Sequence, residues 1–157
     1  MDEQTFTKKL LESEQMLYRI ACGLLRSETD RQDAMQETAL KAWTHRKSLR
    51  EERYFKTWIT RILINECHSL CRKIAREIPI EEVPNSSPTD HDATEIRLML
   101  ESLPTKQRIP MVLHYMEGFS LEEIARTQRI PVGLVKSRMF QARKRLRVEM
   151  SEEEGTK

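Results

Sequence analysis

The chain has 157 residues, of which 33% are charged and 6% aromatic, and its net charge is +2. This length fits one ordinary domain or two small ones, and many Leu, Ile, Met, Glu, Lys and Arg residues with only four glycines favour an all-helical protein. No apolar run approaches the roughly 18 residues of a membrane span, and three cysteines do not form a disulfide framework. We therefore expect a cytoplasmic protein with reduced thiols and no membrane insertion of its own.

Charge is distributed unevenly along the chain. Residues 77–95 hold 6 acidic and no basic side chains, whereas residues 96–148 hold 4 acidic and 11 basic ones, a net charge of +7. A basic segment behind an acidic one is typical of a polyanion-binding module joined to the rest of the chain by an acidic connector.

Helical periodicity predicts three helices in the first half. Apolar spacing indicates a first helix up to about Leu25, and Asp30 with Asp33 predicts an N-cap pair for a second helix that runs to about Trp43. A third helix follows the polar segment 45–52 and contains Trp58. Three helices with short connections predict a small bundle, with both tryptophans in or near its core.

Composition changes at residue 77 and predicts a domain boundary. The segment that follows has three prolines, no basic residue and few large apolar side chains, so it cannot bury enough surface to offset its ordering entropy. We predict a helical domain over 1–76, a flexible acidic linker over 77–94, a second helical domain over 95–148 and an acidic tail over 149–157.

The second half carries a helix-turn-helix pattern. A helix from about Thr105 to Glu117 is predicted to end at Gly118, with a possible irregularity at Pro110. Ser120 and Glu123 then have capping-box spacing for a short helix. The turn leads through Pro131 into a last helix. Apolar residues of these two helices are predicted to face each other: Leu121, Ile124, Ala125, Val135, Met139 and Leu146.

The last helix is the candidate DNA reader. Its segment from Lys136 to Arg147 contains six Lys or Arg and no acid. These like charges repel one another on a helix surface, and bound phosphates would neutralise them. The early residues of such a helix enter the major groove, and later turns lie near the backbone. On this geometry, the candidates for contact with base edges are Lys136, Ser137, Phe140 and Gln141. The candidates for contact with phosphates are Arg138, Arg143 and Lys144. Arg138 could also reach guanine. The alternative is a solvated basic face, and composition does not distinguish a repressor from an activator.

A resemblance to a known family covers nearly the whole chain. Residues 100–147, LESLPTKQRIPMVLHYMEGFSLEEIARTQRIPVGLVKSRMFQARKRLR, resemble region four of extracytoplasmic-function (ECF) sigma factors, small two-domain initiation subunits of bacterial RNA polymerase. DRQDAMQETALKAW and YFKTWITRILINECHSLCRK resemble two helices of region two. Three positions depart from the family's habit: Leu134 replaces Thr, Arg129 replaces a turn Gly, and Ser69 replaces an acid or amide.

The resemblance implies a division of labour. Asp33 and Gln36 would dock on core RNA polymerase. A flipped base of the melted minus-ten element would be held by side chains of the first domain: Lys41, Arg46 and the loop to Arg53, Trp58, Arg61 and Asn65. Trp58 has a plain core position as its rival interpretation. The last helix would read the minus-thirty-five element of promoter DNA, the linker would pass near the RNA exit path, and an anti-sigma factor is an expected partner.

No residues support an enzyme, a metal or another cofactor. Cys67 and Cys71 lie one helical turn apart, but a fourth ligand is missing and His68 points elsewhere, so both cysteines are predicted to be small buried residues. The chain has no Gly-rich phosphate loop and no nucleophile elbow. Two other functions stay open. One is a free-standing helix-turn-helix regulator with an N-terminal sensing or dimerisation domain, which binds a palindrome as a dimer. The other is an anti-sigma-like adaptor, which fits the basic C-terminal module poorly.

Overall fold

The computed structural model describes the backbone of residues 1–77, 95 and 98–155, and the side chains of residues 1–73, 95 and 98–147. This part of the chain is helical and contains no strand. Contacts divide the chain into two compact units, Met1–Ser87 and Pro88–Lys157. The predicted acidic linker lies outside the described residues, except for Glu77 at the end of a helix and for position 95.

The first unit is the predicted bundle of three helices. They are α1 (Glu3–Leu24), α2 (Glu28–Thr44) and α3 (Phe55–Glu77), and the connection between α2 and α3 forms two short 3-10 turns, Arg46–Ser48 and Glu52–Tyr54. The core is made of side chains with almost no exposed surface: Phe6, Leu17, Ile20, Ile59 and Leu63. The two tryptophans lie at its edge, since Trp58 is half-buried and Trp43 is 37% exposed.

The predicted N-cap of α2 was one turn too late. The backbone N–H of Asp30 donates to the Ser27 hydroxyl at 3.0 Å, so Ser27 is the N-cap and Asp30 lies inside the first turn. Ser27 has the extended backbone that an N-cap requires, and the carboxylate of Asp30 remains favourable near the positive end of the helix dipole.

A buried arginine closes the corner between α1 and α2. Arg31 is 7% exposed, and its guanidinium donates to the backbone carbonyl of Leu25 at 3.1 and 3.2 Å and to that of Arg26 at 3.3 Å. Glu28 pairs with Arg31 at 3.4 Å and accepts a 2.6 Å hydrogen bond from the hydroxyl of Tyr18. This bond raises the pKa of Tyr18 to about 12. An arginine of α2 thus satisfies the carbonyl of Leu25, the C-cap of α1, and that of Arg26, which follows it.

The second unit begins with a helical segment at 98–101 and continues with α4 (Thr105–Met111). Pro110 lies inside α4, and the chain then widens into a π-helical turn, Val112–Met116. A proline lacks the N–H that would continue the regular ladder, which gives the wider turn a local cause. Gly118 ends this segment with a φ of +71°, as predicted.

Arg108 repeats in this unit the role of Arg31. Its guanidinium donates to the backbone carbonyls of Leu100, Glu101 and Leu103 at 2.9, 3.1 and 3.0 Å. The end of the 98–101 segment is therefore held against α4.

The helix-turn-helix is formed by α5 (Leu121–Gln128) and α6 (Val132–Gly155). The predicted capping box is present, with the Glu123 N–H bonded to the Ser120 hydroxyl and the Ser120 N–H bonded to the Glu123 carboxylate. The predicted inner face is present as well: Ile124, Ala125, Val135 and Met139 are buried, and Leu121 and Leu146 are half-buried. Helix α6 continues to Gly155, so most of the predicted tail 149–157 has a helical backbone.

Arg129 ends α5 in the left-handed region, with φ 57° and ψ 48°. The backbone N–H groups of Arg129 and Ile130 both bond the carbonyl of Ala125, which gives the helix a left-handed C-cap. A side chain other than glycine is strained in this conformation. This conformation gives a physical reason for the glycine that the resembling family usually has at this position.

No helix in the described part of the chain has the length and apolar character needed to cross a membrane.

We predict opposite effects for two substitutions at the left-handed positions. Arg129→Gly should stabilise the second unit by up to about 1 kcal/mol, since it removes the backbone strain, and Gly118→Ala should destabilise it by about 1 kcal/mol. A β-carbon at Gly118 meets no atom within 4 Å, so its cost is conformational. In a domain of this size, 1 kcal/mol corresponds to a shift of roughly 4–8 °C in the melting midpoint.

Thermal melts of the full chain measure these effects. Both tryptophans lie in the first unit, so their fluorescence follows that unit, while far-ultraviolet circular dichroism follows both. Only the dichroism transition should move. Gly133→Ala is the comparison for Gly118→Ala: Gly133 lies in the first turn of α6 with no positive φ and open space beside it, so its replacement should raise the midpoint instead of lowering it. A lower midpoint for Arg129→Gly would contradict the strain argument.

Candidate nucleic-acid interfaces

Helix α6 separates its buried and exposed residues into two faces. Val135, Met139 and Ala142 have at most 2% exposed surface and pack inside the unit. The predicted contact residues lie on the remaining surface: Lys136, Ser137, Phe140, Gln141 and Lys144 are exposed, and Arg138 and Arg143 are half-buried. All seven are therefore accessible on one helix.

Two apolar side chains stand on this basic surface. Phe140 is 55% exposed and Leu134 is 38% exposed. An apolar side chain on the outer face of a helix between cations has no packing role within its unit. Such a side chain suits contact with a thymine methyl group in a major groove, while the lysines and arginines suit phosphates and guanine.

Tyr115 extends this surface and was not among the predicted site residues. It is 59% exposed, and its hydroxyl accepts a 3.2 Å hydrogen bond from the guanidinium of Arg143. The ring also makes an edge contact with His114, with 4.9 Å between the ring centroids. These contacts hold the Arg143 guanidinium in one place. The partners are 28 positions apart in the chain, which explains why no local pattern indicated the pair.

Helix α3 carries the second candidate surface. Trp58, Arg61 and Asn65 follow one another at spacings of three and four residues, which places them on one helix face. Asn65 is exposed, and Trp58 and Arg61 are half-buried. An exposed amide beside a cation and an indole ring offers hydrogen bonding, charge and stacking to an unpaired base.

Lys41 joins this surface from α2, but it is not a free cation. Its ammonium group is paired with the carboxylate of Glu66, whose side chain is 10% exposed, while that of Lys41 is 49% exposed. The hydrogen bond to Glu66 raises the pKa of Lys41. A negative charge is therefore in direct contact with one of the predicted strand-binding cations. Sequence reasoning missed this pair, because its members are 25 residues apart.

Arg46 is held by a neighbouring ring. Its guanidinium carbon lies 3.8 Å from the centroid of the Trp43 ring, and its Nη1 donates to the Trp43 carbonyl oxygen at 2.8 Å. Trp43 belongs to a chain of edge-on and tilted aromatic contacts that also includes Phe6, Phe55 and Trp58, with centroid distances of 5.5, 6.2 and 5.8 Å between successive rings. The predicted residues Arg46 and Trp58 are thus linked through one aromatic cluster.

Asp33 and Gln36 are both exposed on α2. Gln36 borders a groove of about 670 Å³ between α1 and α2, whose apolar lining includes Leu10, Leu11 and Met35. Leu11 is 63% exposed, so this groove presents apolar surface to the outside. Such a groove beside polar side chains suits a protein partner better than a nucleic acid.

The cysteines differ from their prediction in one respect. Cys67 is buried, as expected, and burial raises the pKa of its thiol to about 12. Cys71 is exposed, because it lies one turn further toward the end of α3, where the packing against α1 and α2 ceases. Within the described ranges, no three His, Cys, Asp or Glu side chains are placed to hold a metal ion.

Comparisons with known proteins match both halves of the chain. Residues 10–77 match the family model described as Sigma-70 region 2, and residues 93–146 match that described as Sigma-70, region 4. The RNA polymerase sigma factor SigV of Bacillus subtilis is 26% identical over 98% of this chain and 99% of its own length. The ECF RNA polymerase sigma factor SigM of Mycobacterium tuberculosis is 31% identical over 92% of this chain and 76% of its own.

A solved structure is similar over almost the same extent. The sigma factor RpoE of Bartonella quintana, crystallised in complex with the anti-sigma factor NepR, superposes with a TM-score of 0.81 at 29% identity. The match covers 94% of this chain and 98% of that one.

We predict that removing the Glu66 charge strengthens the binding of single-stranded DNA. Glu66→Gln keeps the side-chain shape and frees Lys41 for a phosphate, so the plot of log affinity against log salt should steepen by about 0.7, the value for one contact on a single strand. Fluorescence anisotropy of a labelled oligonucleotide at several salt concentrations measures the slope.

Two variants control for net charge and for Lys41. Glu12→Gln removes an equal charge at an exposed position of α1 and should leave the slope unchanged. In the double variant Lys41→Gln, Glu66→Gln the slope should return to that of the original chain. An unchanged slope for Glu66→Gln alone would remove Lys41 from the interface.

Proposed function

The chain belongs to the extracytoplasmic-function (ECF) sigma factors, and we propose that it binds core RNA polymerase, recognises two promoter elements and promotes promoter opening. A sigma factor selects promoters and is not an enzyme. The observation that carries the proposal is the presence, in the family's order, of two helical units that each expose a face suited to nucleic acid. The sensing or dimerisation domain of a free-standing regulator would not need the exposed polar face of α2 or the basic, Trp-bearing α3.

The upstream element is read as duplex by α6. Its early exposed residues Lys136, Ser137, Phe140 and Gln141 reach base edges, while Arg143 and Lys144 neutralise phosphates. Arg138 is half-buried, which limits the number of directions its guanidinium takes and suits it to one defined partner.

The downstream element is bound as a melted strand by the first unit. Asn65 makes hydrogen bonds to an extruded base, and Trp58, Arg61 and Arg46 supply stacking surface and charge. Lys41 contributes once a phosphate competes with Glu66 for its ammonium group. Promoter opening is favoured because these side chains bind the unpaired strand and find no comparable binding partner in the closed DNA duplex.

Protein partners bind the first unit at α2. Asp33 and Gln36, with the apolar groove beside Gln36, dock on the polymerase. An anti-sigma factor is proposed as a second partner, on the ground that the similar RpoE of Bartonella quintana was crystallised with one. We also propose that residues 77–94 form an acidic tether between the two domains, 1–76 and 95–148, followed by an acidic tail over 149–157.

We expect the purified chain to bind core RNA polymerase and to direct transcription from a promoter with two elements. The double variant Asp33→Ala, Gln36→Ala should weaken this binding by about 1 kcal/mol or more, since two polar contacts are lost. Its melting curve should be unchanged, because both side chains are exposed. Co-purification with core enzyme measures the effect. Specific binding of a palindromic duplex by the chain alone would instead indicate a free-standing regulator.

Substitutions on the two proposed DNA-binding faces, α6 and α3, should impair different steps of transcription initiation. Arg138→Ala is expected to weaken duplex promoter binding roughly 5- to 150-fold, from the roughly 1–3 kcal/mol of one base contact, with opening of a pre-bound promoter retained. Asn65→Ala should retain duplex binding and reduce opening. Filter binding measures the first step, and permanganate reactivity of unpaired thymines measures the second. The same defect in both variants would contradict the division of labour.

A further inference from the structure

Trp43 presents an aromatic face at the surface of the first unit. Its ring is 37% exposed although it stands at the end of α2 beside the core, and Phe6 supports it through an edge-on contact at 5.5 Å. Phe6 itself is 3% exposed. The indole is therefore held in place from the inside and accessible from the outside.

A planar cation covers this ring. The Arg46 guanidinium carbon lies 3.8 Å from the ring centroid, which is a stacking distance, and the side chain is held further by the hydrogen bond to the Trp43 carbonyl. The neighbouring pair Arg53–Tyr54 is different. There the guanidinium is 4.7 Å from the ring and is paired with the Glu51 carboxylate at 2.6 Å.

The covered ring lies directly beside a residue assigned above to the melted strand, because Arg46, which stacks on it, is already a candidate for that strand. Phe6 and Phe55 also connect Trp43 to Trp58 through successive ring contacts in the core. We propose that Trp43 is a base-stacking platform for the unpaired strand, which Arg46 covers in the free protein and leaves when a base arrives. This inference rests on the proposed function.

The exchange is favourable on physical grounds. An arginine over an exposed ring gains little, since water solvates its charge well, whereas a base stacked on an aromatic side chain gains more. The displaced guanidinium also finds a phosphate of the same strand, with which it forms charge-assisted hydrogen bonds. In duplex DNA the bases are stacked on one another, so the platform acts only after melting.

The test compares two replacements of Trp43 in the reconstituted holoenzyme. Trp43→Leu fills the space next to Phe6 without an aromatic face, and Trp43→Phe restores such a face. The probe is a promoter fragment, located by mapping transcript 5′ ends, in fully duplex form and with a pre-melted downstream element. Trp43→Leu should weaken binding of the pre-melted fragment roughly 5- to 100-fold, and Trp43→Phe should recover most of it. Tyr54→Leu is the control and should bind this fragment nearly as the original chain does.

A fluorescence signal tests the exchange directly. In a Trp58→Phe chain, Trp43 is the only tryptophan, and a single-stranded oligonucleotide of the same promoter should quench its emission. Adding the duplex should leave the emission unchanged.

The outcomes separate this inference from the proposed function. If Trp43→Leu and Trp43→Phe bind the pre-melted fragment as the original chain does while Asn65→Ala does not, Trp43 only packs, and the inference is overturned with the function intact. Equal weakening by Leu and Phe, or equal loss on both fragments, also overturns it. If the chain binds neither core polymerase nor the promoter, the proposed function itself is wrong.

Discussion

In each unit, an arginine bonded to backbone carbonyls at and just after the end of the preceding helix closes the corner into the next helix. Arg31 binds the carbonyls of Leu25 and Arg26, and Arg108 binds those of Leu100, Glu101 and Leu103. A helix ends with four carbonyls that lack intrahelical partners, and leaving one of them buried and unpaired costs about 1–3 kcal/mol. A guanidinium with several donors satisfies more of them than a lysine does.

The corners place the functional surfaces without contributing to them. In the first unit, α1 and α2 enclose the groove beside Gln36, and the packing of α2 on α3 brings Lys41 next to Glu66. In the second unit, α4 and the π-helical turn bring Tyr115 to Arg143 of α6. The exposed faces are therefore free to carry unusual residues, such as Phe140 among cations, because stability comes from contacts elsewhere.

The helices and their faces could be predicted because the information is local. The capping box at Ser120, the end at Gly118 and the buried face of α6 each depend on residues within one or two turns. The N-cap of α2 was misplaced because Ser27 and Asp30 are both good caps, and only the path of the chain after Leu25 decides between them. The exposure of Cys71 likewise depends on where α3 leaves its neighbours.

The contacts that modify the candidate sites could not be predicted from sequence patterns. Glu66 and Lys41 are distant in the chain, and neither residue alone indicates that the predicted cation is already paired. Trp43 was expected in or near the core on hydrophobicity, but its position at the end of a helix leaves one part of the ring outside, where Arg46 lies. The resemblance indicated the roles of individual residues, whereas the pairing and the exposure of each side chain could be seen only in the structure.

His114 joins the π-helical turn to the start of the helix-turn-helix. Its Nδ1 lies 2.8 Å from the carbonyl oxygen of Phe119, just before α5. A carbonyl only accepts hydrogen bonds, so Nδ1 is the donor. The backbone N–H groups of Gly118 and Phe119 also bond carbonyls of the π-helical turn. The entrance to the helix-turn-helix is therefore fastened by a side chain as well as by the backbone.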